Sequence, residues 1–186
     1  MSDTPSKLQD AKDLLTKDGF EVADVWYHGT SSALIDSIKS SGLKRSGDKA
    51  MKQVAKSTMA TIGNKYTESI EPVFVTQSKE LAYYWAEQSV RERSVRIEGE
   101  ESPVVIAINL PEEQLPKVRP DVGAASLLMV KEGEHYMAFL AGLYQKNNAG
   151  VLDIDLRKAD RLDYLNKLGM AYIDADVDAK YLEVLA

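Results

Sequence analysis

Apolar positions recur at helical spacing near the start of the chain. Leu8, Ala11, Leu14 and Leu15 predict an amphipathic helix over residues 5–18, with Gly19 as its stop. The pattern then tightens: VADVWYH (22–28) sets apolar and aromatic residues at the close intervals of a strand. Residues 31–41 return to a helical period, with Ser31 or Ser32 as cap, Leu34, Ile35 and Ile38 on one face and Gly42 at the end. Residues 44–71 are polar, poor in bulky apolar side chains and broken by Gly47 and Gly63. A long irregular stretch inside a compact domain is usually functional or mobile, and this one has room for a short helix near residues 50–60.

Periodicity resumes with PVFVT (72–76), a short strand. SKELAYYWAEQSVRER (78–93) reads as a helix capped by Ser78, with Glu80 and Glu87 on its exposed side. PVVIAINL (103–110) is the clearest strand, and its unbroken apolar run predicts burial on both faces. Pro111, Pro116 and Pro120 punctuate the next stretch. Residues 123–146 hold one or two apolar helical segments or a hairpin, interrupted at Gly133. VLDIDL (151–156) alternates as a half-buried strand does, and RLDYLNKL (161–168) is a short helix. MAYIDADV (170–177) and AKYLEVL (179–185) read as a last strand and a final edge element. With no internal repeat, low-complexity tract or linker, the expectation is a single α+β domain over residues 1–186.

Composition narrows the chemistry. Of 186 residues, 44% are apolar and 28% charged, enough for a real core. The net charge of -6 opposes non-specific nucleic-acid binding, which needs a positive field. A local basic groove stays open as a reading, because Lys44, Arg45, Lys49, Lys52, Lys56 and Lys65 crowd the irregular stretch. The chain has no cysteine, which excludes disulfides, thiolate zinc sites and a cysteine nucleophile. Its two histidines, His28 and His135, fall in no metal-ligand spacing, so no metal is expected. The opening residues lack a signal-type apolar run, and no window approaches the roughly 18 apolar residues of a membrane span. The reading is a cytoplasmic protein without a membrane partner. GxxxxGK[ST], GxGxxG and GxSxG are all missing, so neither a P-loop, a Rossmann site nor a nucleophile elbow is supported.

The chemistry-bearing residues cluster in two places. Tyr27-His28-Gly29-Thr30-Ser31 stands where the first strand meets the second helix, and Tyr83-Tyr84-Trp85 lies on the mid-chain helix. A lone His-Gly is weak, since the glycine can serve a turn and the histidine can be filler. Its company is more specific: a capped helix ending in Ser-Gly-Leu, a polar loop, then PVFVTQSKELAYYWA.

This ordered set resembles the ADP-ribosyltransferase superfamily, in particular its diphtheria-toxin-like and PARP-like branch with a His-Tyr-Glu triad, over residues 25–43 and 72–88. It is also similar to the RNA 2'-phosphotransferases. The resemblance implies split antiparallel β-sheets with flanking helices around a cleft for NAD, the substrate, with NAD and an unknown macromolecular acceptor, a protein, as partners. It implies that His28 bonds a ribose hydroxyl, that the Gly29 backbone pairs with the nicotinamide carboxamide, and that Thr30 or Ser31 adds polar contacts beside Tyr27. It further implies an aromatic stacked on nicotinamide. Of Tyr83, Tyr84 and Trp85, Tyr84 is expected to stack, with Trp85 facing the core.

The family pattern also has a glutamate near the start of a late strand, and here the chain departs from it. That strand reads Gly169-Met170-Ala171-Tyr172-Ile173-Asp174, and no glutamate occurs between 135 and 182. Asp174 and Asp176 are one carbon shorter; Glu132 and Glu134 are the possible substitutes, with Glu134 taken as the third catalytic candidate beside His28 and Tyr84. The implied activity is transfer of ADP-ribose from NAD with release of nicotinamide. The alternatives are an inactive binding module of the same fold, holding NAD, ADP-ribose or a partner, and an enzyme like the phosphotransferases. The second is disfavoured by an acidic surface, two histidines and arginines (Arg45, Arg93, Arg96, Arg119) outside any placeable motif.

Overall fold

The computed structural model describes residues 4–63, 65–67 and 69–185. The expected first helix is broken. A 3-10 turn (Ser6–Leu8) precedes a single helical turn, α1 (Ala11–Leu14), and a tight hairpin of β1 (Leu15–Thr16) with β2 (Gly19–Phe20). The reason lies at Asp10, between the two turns. Its buried carboxylate accepts bonds from Ser78 Oγ (2.6 Å) and from the amides of Lys79 (2.8 Å) and Glu80 (3.1 Å). A long-range bond set therefore overrides local helical propensity.

The first full strand, β3, spans Val25–Ser31 rather than ending at His28, so the histidine is central in the strand. A 3-10 turn (Ser32–Leu34), begun by Ser31, leads into α2 (Ile35–Ser41), which stops at Gly42 as expected. The polar stretch holds α3 (Lys49–Thr61), capped by Asp48 and without one buried residue. Then come β4 (Val73–Val75) and α4 (Lys79–Ser94), whose cap is Ser78. Glu80 is buried, contrary to the expectation of an exposed side chain. Its carboxylate accepts the Ala11 amide at 3.3 Å, so Asp10 caps α4 while Glu80 caps α1 in return.

β5 (Pro103–Asn109) has Val105, Ile106, Ala107 and Ile108 all buried, as its apolar run foretold. After it come β6 (Val118–Pro120), α5 (Ala124–Leu128) and α6 (Lys131–Lys146). The ambiguous 123–146 region is thus two helices. Gly133 lets them close: a Cβ there would lie 2.4 Å from the Leu127 carbonyl oxygen. Residues 151–156 form no strand. Leu152, Ile154 and Leu156 lean on the core while Val151 is exposed, so the alternation records one-sided burial without a ladder partner. The chain closes with α7 (Arg161–Asn166), β7 (Ala171–Ile173) and β8 (Leu182–Leu185), an edge strand.

The architecture is mixed α+β, with two three-stranded antiparallel sheets, β3-β5-β8 and β4-β7-β6. One core packs α4, α6 and α7 around Tyr84, Tyr136, Leu140 and Tyr164; another lies among the sheets and α2 around Trp26, Ile106, Ile108 and Ile173. Among the described residues no helix is long and apolar enough to cross a membrane.

Candidate functional site

Among the described residues, one backbone bridge joins the two sheets. Tyr27 donates its amide to the Thr76 carbonyl (2.8 Å) and accepts the Thr76 amide (2.9 Å). Successive residues of an antiparallel strand point their N–H and C=O to opposite edges. Tyr27 spends both groups on Thr76, so Gly29, two residues on, points both toward the same edge. Continued pairing would bring Phe74 opposite Gly29. Instead the Phe74 carbonyl accepts from His28 Nδ1 at 2.7 Å. The sheets part there, and among the described residues no backbone bond meets the Gly29 groups on that edge.

A cleft opens through the gap. Its larger lobe, about 740 Å³, is lined by Tyr27, Ala82, Trp85, Asp121 and Met170 among others. That volume falls in the range of small-molecule sites, about 300–1,000 Å³. A smaller lobe of about 230 Å³ reaches toward α2 past Leu34, Ile38 and Lys44. His28, Gly29, Glu71, Pro72 and Phe74 line both lobes and form the neck between them.

A carbonyl only accepts, so the bond to Phe74 places the imidazole proton on Nδ1 and leaves Nε2 of the neutral ring as an acceptor. Burial lowers the His28 pKa from its ordinary value, with the Phe74 bond opposing. The neutral, hydroxyl-accepting form therefore prevails at pH 7. Gly29 has a packing reason as well as an open edge. A Cβ there would meet the Ala82 carbonyl oxygen at 1.9 Å and the Ala86 amide nitrogen at 2.6 Å, because α4 lies directly on β3.

The aromatic cluster divides differently from expectation. Trp85 lines the cleft, whereas Tyr84 is buried, stacked on Phe139 at a centroid distance of 4.8 Å. One residue along a helix is about 100° of rotation, so neighbours face differently: Trp85 touches Tyr136 at 4.7 Å and leans on the core as expected, but it also lines the cleft. α6 claims the Tyr84 side because Tyr136 and Phe139 wait there. Tyr83 packs by Leu8 and Val105, away from the lining. The expectation of a Tyr84 stack fails because the position of α6 is not written in the helix itself.

Other candidates separate too. Tyr27 and Thr30 line the larger and smaller lobes respectively, although Thr30 is almost fully buried. Ser31 is buried and committed: its hydroxyl donates to Glu101 and its oxygen accepts the Ala33 amide. Glu101 in turn pairs with buried Arg93, which also holds Asp48 at the start of α3. Glu134 is exposed on α6 and does not line the cleft, which corrects its placement as a catalytic candidate. The Glu132 side chain lies outside the described residues. Asp174 and Asp176 pair with Arg45 (3.5 and 3.6 Å), and Asp176 also pairs with Lys44 (3.5 Å), so neither carboxylate enters the larger lobe.

Two carboxylates that sequence reasoning missed do line it: exposed Glu71 at the neck and buried Asp121 after β6. Burial pushes the Asp121 pKa up, opposed by the amides of Ala124 and Gly123. Neither sits in a motif, so only the folded chain brings them to the cleft. Comparisons with protein-family models, curated proteins and solved structures return no match.

Proposed function

We propose that this chain is an ADP-ribosyltransferase that takes NAD as substrate, passes ADP-ribose to a macromolecular acceptor and releases nicotinamide. One observation carries the reading: the sheets part at Gly29, leaving an amide donor and a carbonyl acceptor open in the cleft that Trp85 also lines. A primary carboxamide presents one acceptor and a donor pair, so a single backbone residue can meet both. The indole face suits a flat cationic pyridinium. Nε2 of His28 is an acceptor for a sugar hydroxyl, and the smaller lobe offers Lys44 and the α2 end of the cleft to the rest of the dinucleotide.

In the reaction the bond between the nicotinamide nitrogen and the ribose anomeric carbon breaks. Its electron pair leaves with nicotinamide, which becomes neutral. The acceptor's oxygen or nitrogen attacks the anomeric carbon and its proton passes to solvent. Holding both rings in place supplies orientation before the bond breaks. The exposed α3, which begins beside the smaller lobe, is positioned to meet a large acceptor.

A second reading, a binding module without chemistry, is favoured by Met170 standing near the start of the late strand, where the resemblance implies a glutamate. The phosphotransferase reading gains nothing, since Arg45 and Arg93 are engaged in ion pairs. Titration calorimetry with NAD and a nicotinamide-release assay separate the first two. Binding with release supports the enzyme, binding alone the module, and no binding at millimolar NAD removes the enzyme and any module that holds NAD.

A further inference from the structure

We infer that Asp121 is the carboxylate that faces the ribose in this cleft, entering from the strand beside the one where a glutamate was expected. The inference rests on the transferase reading above. Cleaving the nicotinamide–ribose bond builds positive charge on the sugar, and a fixed anion or a strong hydroxyl acceptor lowers that barrier. The late strand brings no carboxylate to the larger lobe: it contributes Gly169, Met170, Ala171 and Tyr172.

The ladder supplies one from next door. β6 pairs with β7 with Pro120 opposite Ala171, and the Asp121 amide then bonds the Met170 carbonyl at 2.9 Å. Directly opposed residues of an antiparallel pair put their side chains on one face. Asp121 and Met170 accordingly line the same lobe, each 8% exposed. Asp121 Oδ1 is fixed by the Ala124 amide at 3.2 Å, which orients the group at the head of α5. Asp121 therefore lines the lobe that Trp85 also lines with one carboxylate oxygen held, and a carboxylate has further acceptor capacity to give a ligand. Glu71 is the rival at the neck, but its side chain is exposed to solvent rather than held within the lobe.

The balanced test reaction uses water as acceptor: NAD and water give ADP-ribose, nicotinamide and a proton. Asp121→Asn keeps an oxygen for the Ala124 amide, so the fold survives while the charge goes. The measurements are NAD affinity by calorimetry and nicotinamide release for wild type, Asp121→Asn, Glu71→Gln and Glu134→Gln. Asp121→Asn is expected to lower kcat by about 100-fold or more, with NAD affinity changed less than about threefold. Glu134→Gln is expected to match wild type. Release by wild type with Asp121→Asn unimpaired, or with the loss confined to Glu71→Gln, overturns the assignment and leaves the transferase reading intact. Binding without release by wild type overturns the assignment in favour of the module. Absence of NAD binding by wild type overturns the transferase reading itself.

Discussion

Replacing Trp85 and Tyr84 separately by leucine tests whether the cleft or the core owns each ring. Tyr84 is 5% exposed and lies within 5.3 Å, centroid to centroid, of Trp85, Tyr136 and Phe139. Tyr84→Leu therefore removes a ring from a packed cluster, and large-to-small changes of this kind cost about 2–4 kcal/mol. Trp85 keeps contacts at 5.3 Å to Tyr84 and 4.7 Å to Tyr136 but presents part of its indole to the cleft. Its loss is expected to cost less stability, about 1–2 kcal/mol, since an aromatic pair adds about 0.5–1.5 kcal/mol beyond burial. Ligand binding should show the opposite order. Stacking of an aromatic on a flat base is worth about 1–3 kcal/mol, so Trp85→Leu should weaken NAD roughly 5- to 150-fold. Tyr84→Leu should change affinity by less than about threefold at temperatures where it stays folded. Urea melts give the stabilities and calorimetry the affinities. A folded Tyr84→Leu that loses NAD while Trp85→Leu binds normally would show that the ring in the cleft is not the one in the ligand's path.

Two more outcomes are expected at the same site. Gly29→Ala would force a Cβ to 1.9 Å from the Ala82 carbonyl oxygen, so a loss of about 3 kcal/mol or more is expected in a urea melt; a loss under about 0.5 kcal/mol would mean that α4 does not lie on β3. Because the folded His28 pKa is depressed, the unfolded chain binds the extra proton first. Its contribution to stability is complete above the unfolded value, about 6.5, and declines as pH falls from there toward the folded value. Thermal melts across that acid window should flatten in a His28→Asn variant; an unchanged acid slope would contradict the assignment.

Much of the fold is legible in the sequence where one segment determines its own environment. The run 103–110 announces a buried strand, Ser78 announces a helix start, and the Tyr-His-Gly-Thr motif points to the cleft. The positions that escape are those decided by distant partners. Asp10 breaks the first helix because Ser78 and the amides after it need an acceptor. Glu80 goes inward to the Ala11 amide, although helical periodicity alone puts it outside. Tyr84 and Trp85 are adjacent letters, and the choice between them belongs to α6, some fifty residues away. Asp121 has no local signal because its relation to Met170 is a register, which exists only when β6 and β7 pair.

His28 holds two tasks that one substitution can separate. Its Nδ1 donates to Phe74 and keeps that carbonyl from pairing with Gly29, while Nε2 is left for a ligand hydroxyl. An asparagine amide can place a donor near where Nδ1 lies but has nothing at the far side of the ring. A glutamine reaches the far side and abandons the near one. His28→Asn is therefore expected to keep the sheets parted and the melt near wild type, yet to weaken NAD about 2- to 10-fold, the value of one net hydrogen bond. His28→Gln should show the reverse, with lower stability and partly retained affinity. If both variants lose stability alike and bind alike, the bond to Phe74 has no separate part in opening the cleft. The parting of the sheets must then come from the divergence of β4 itself.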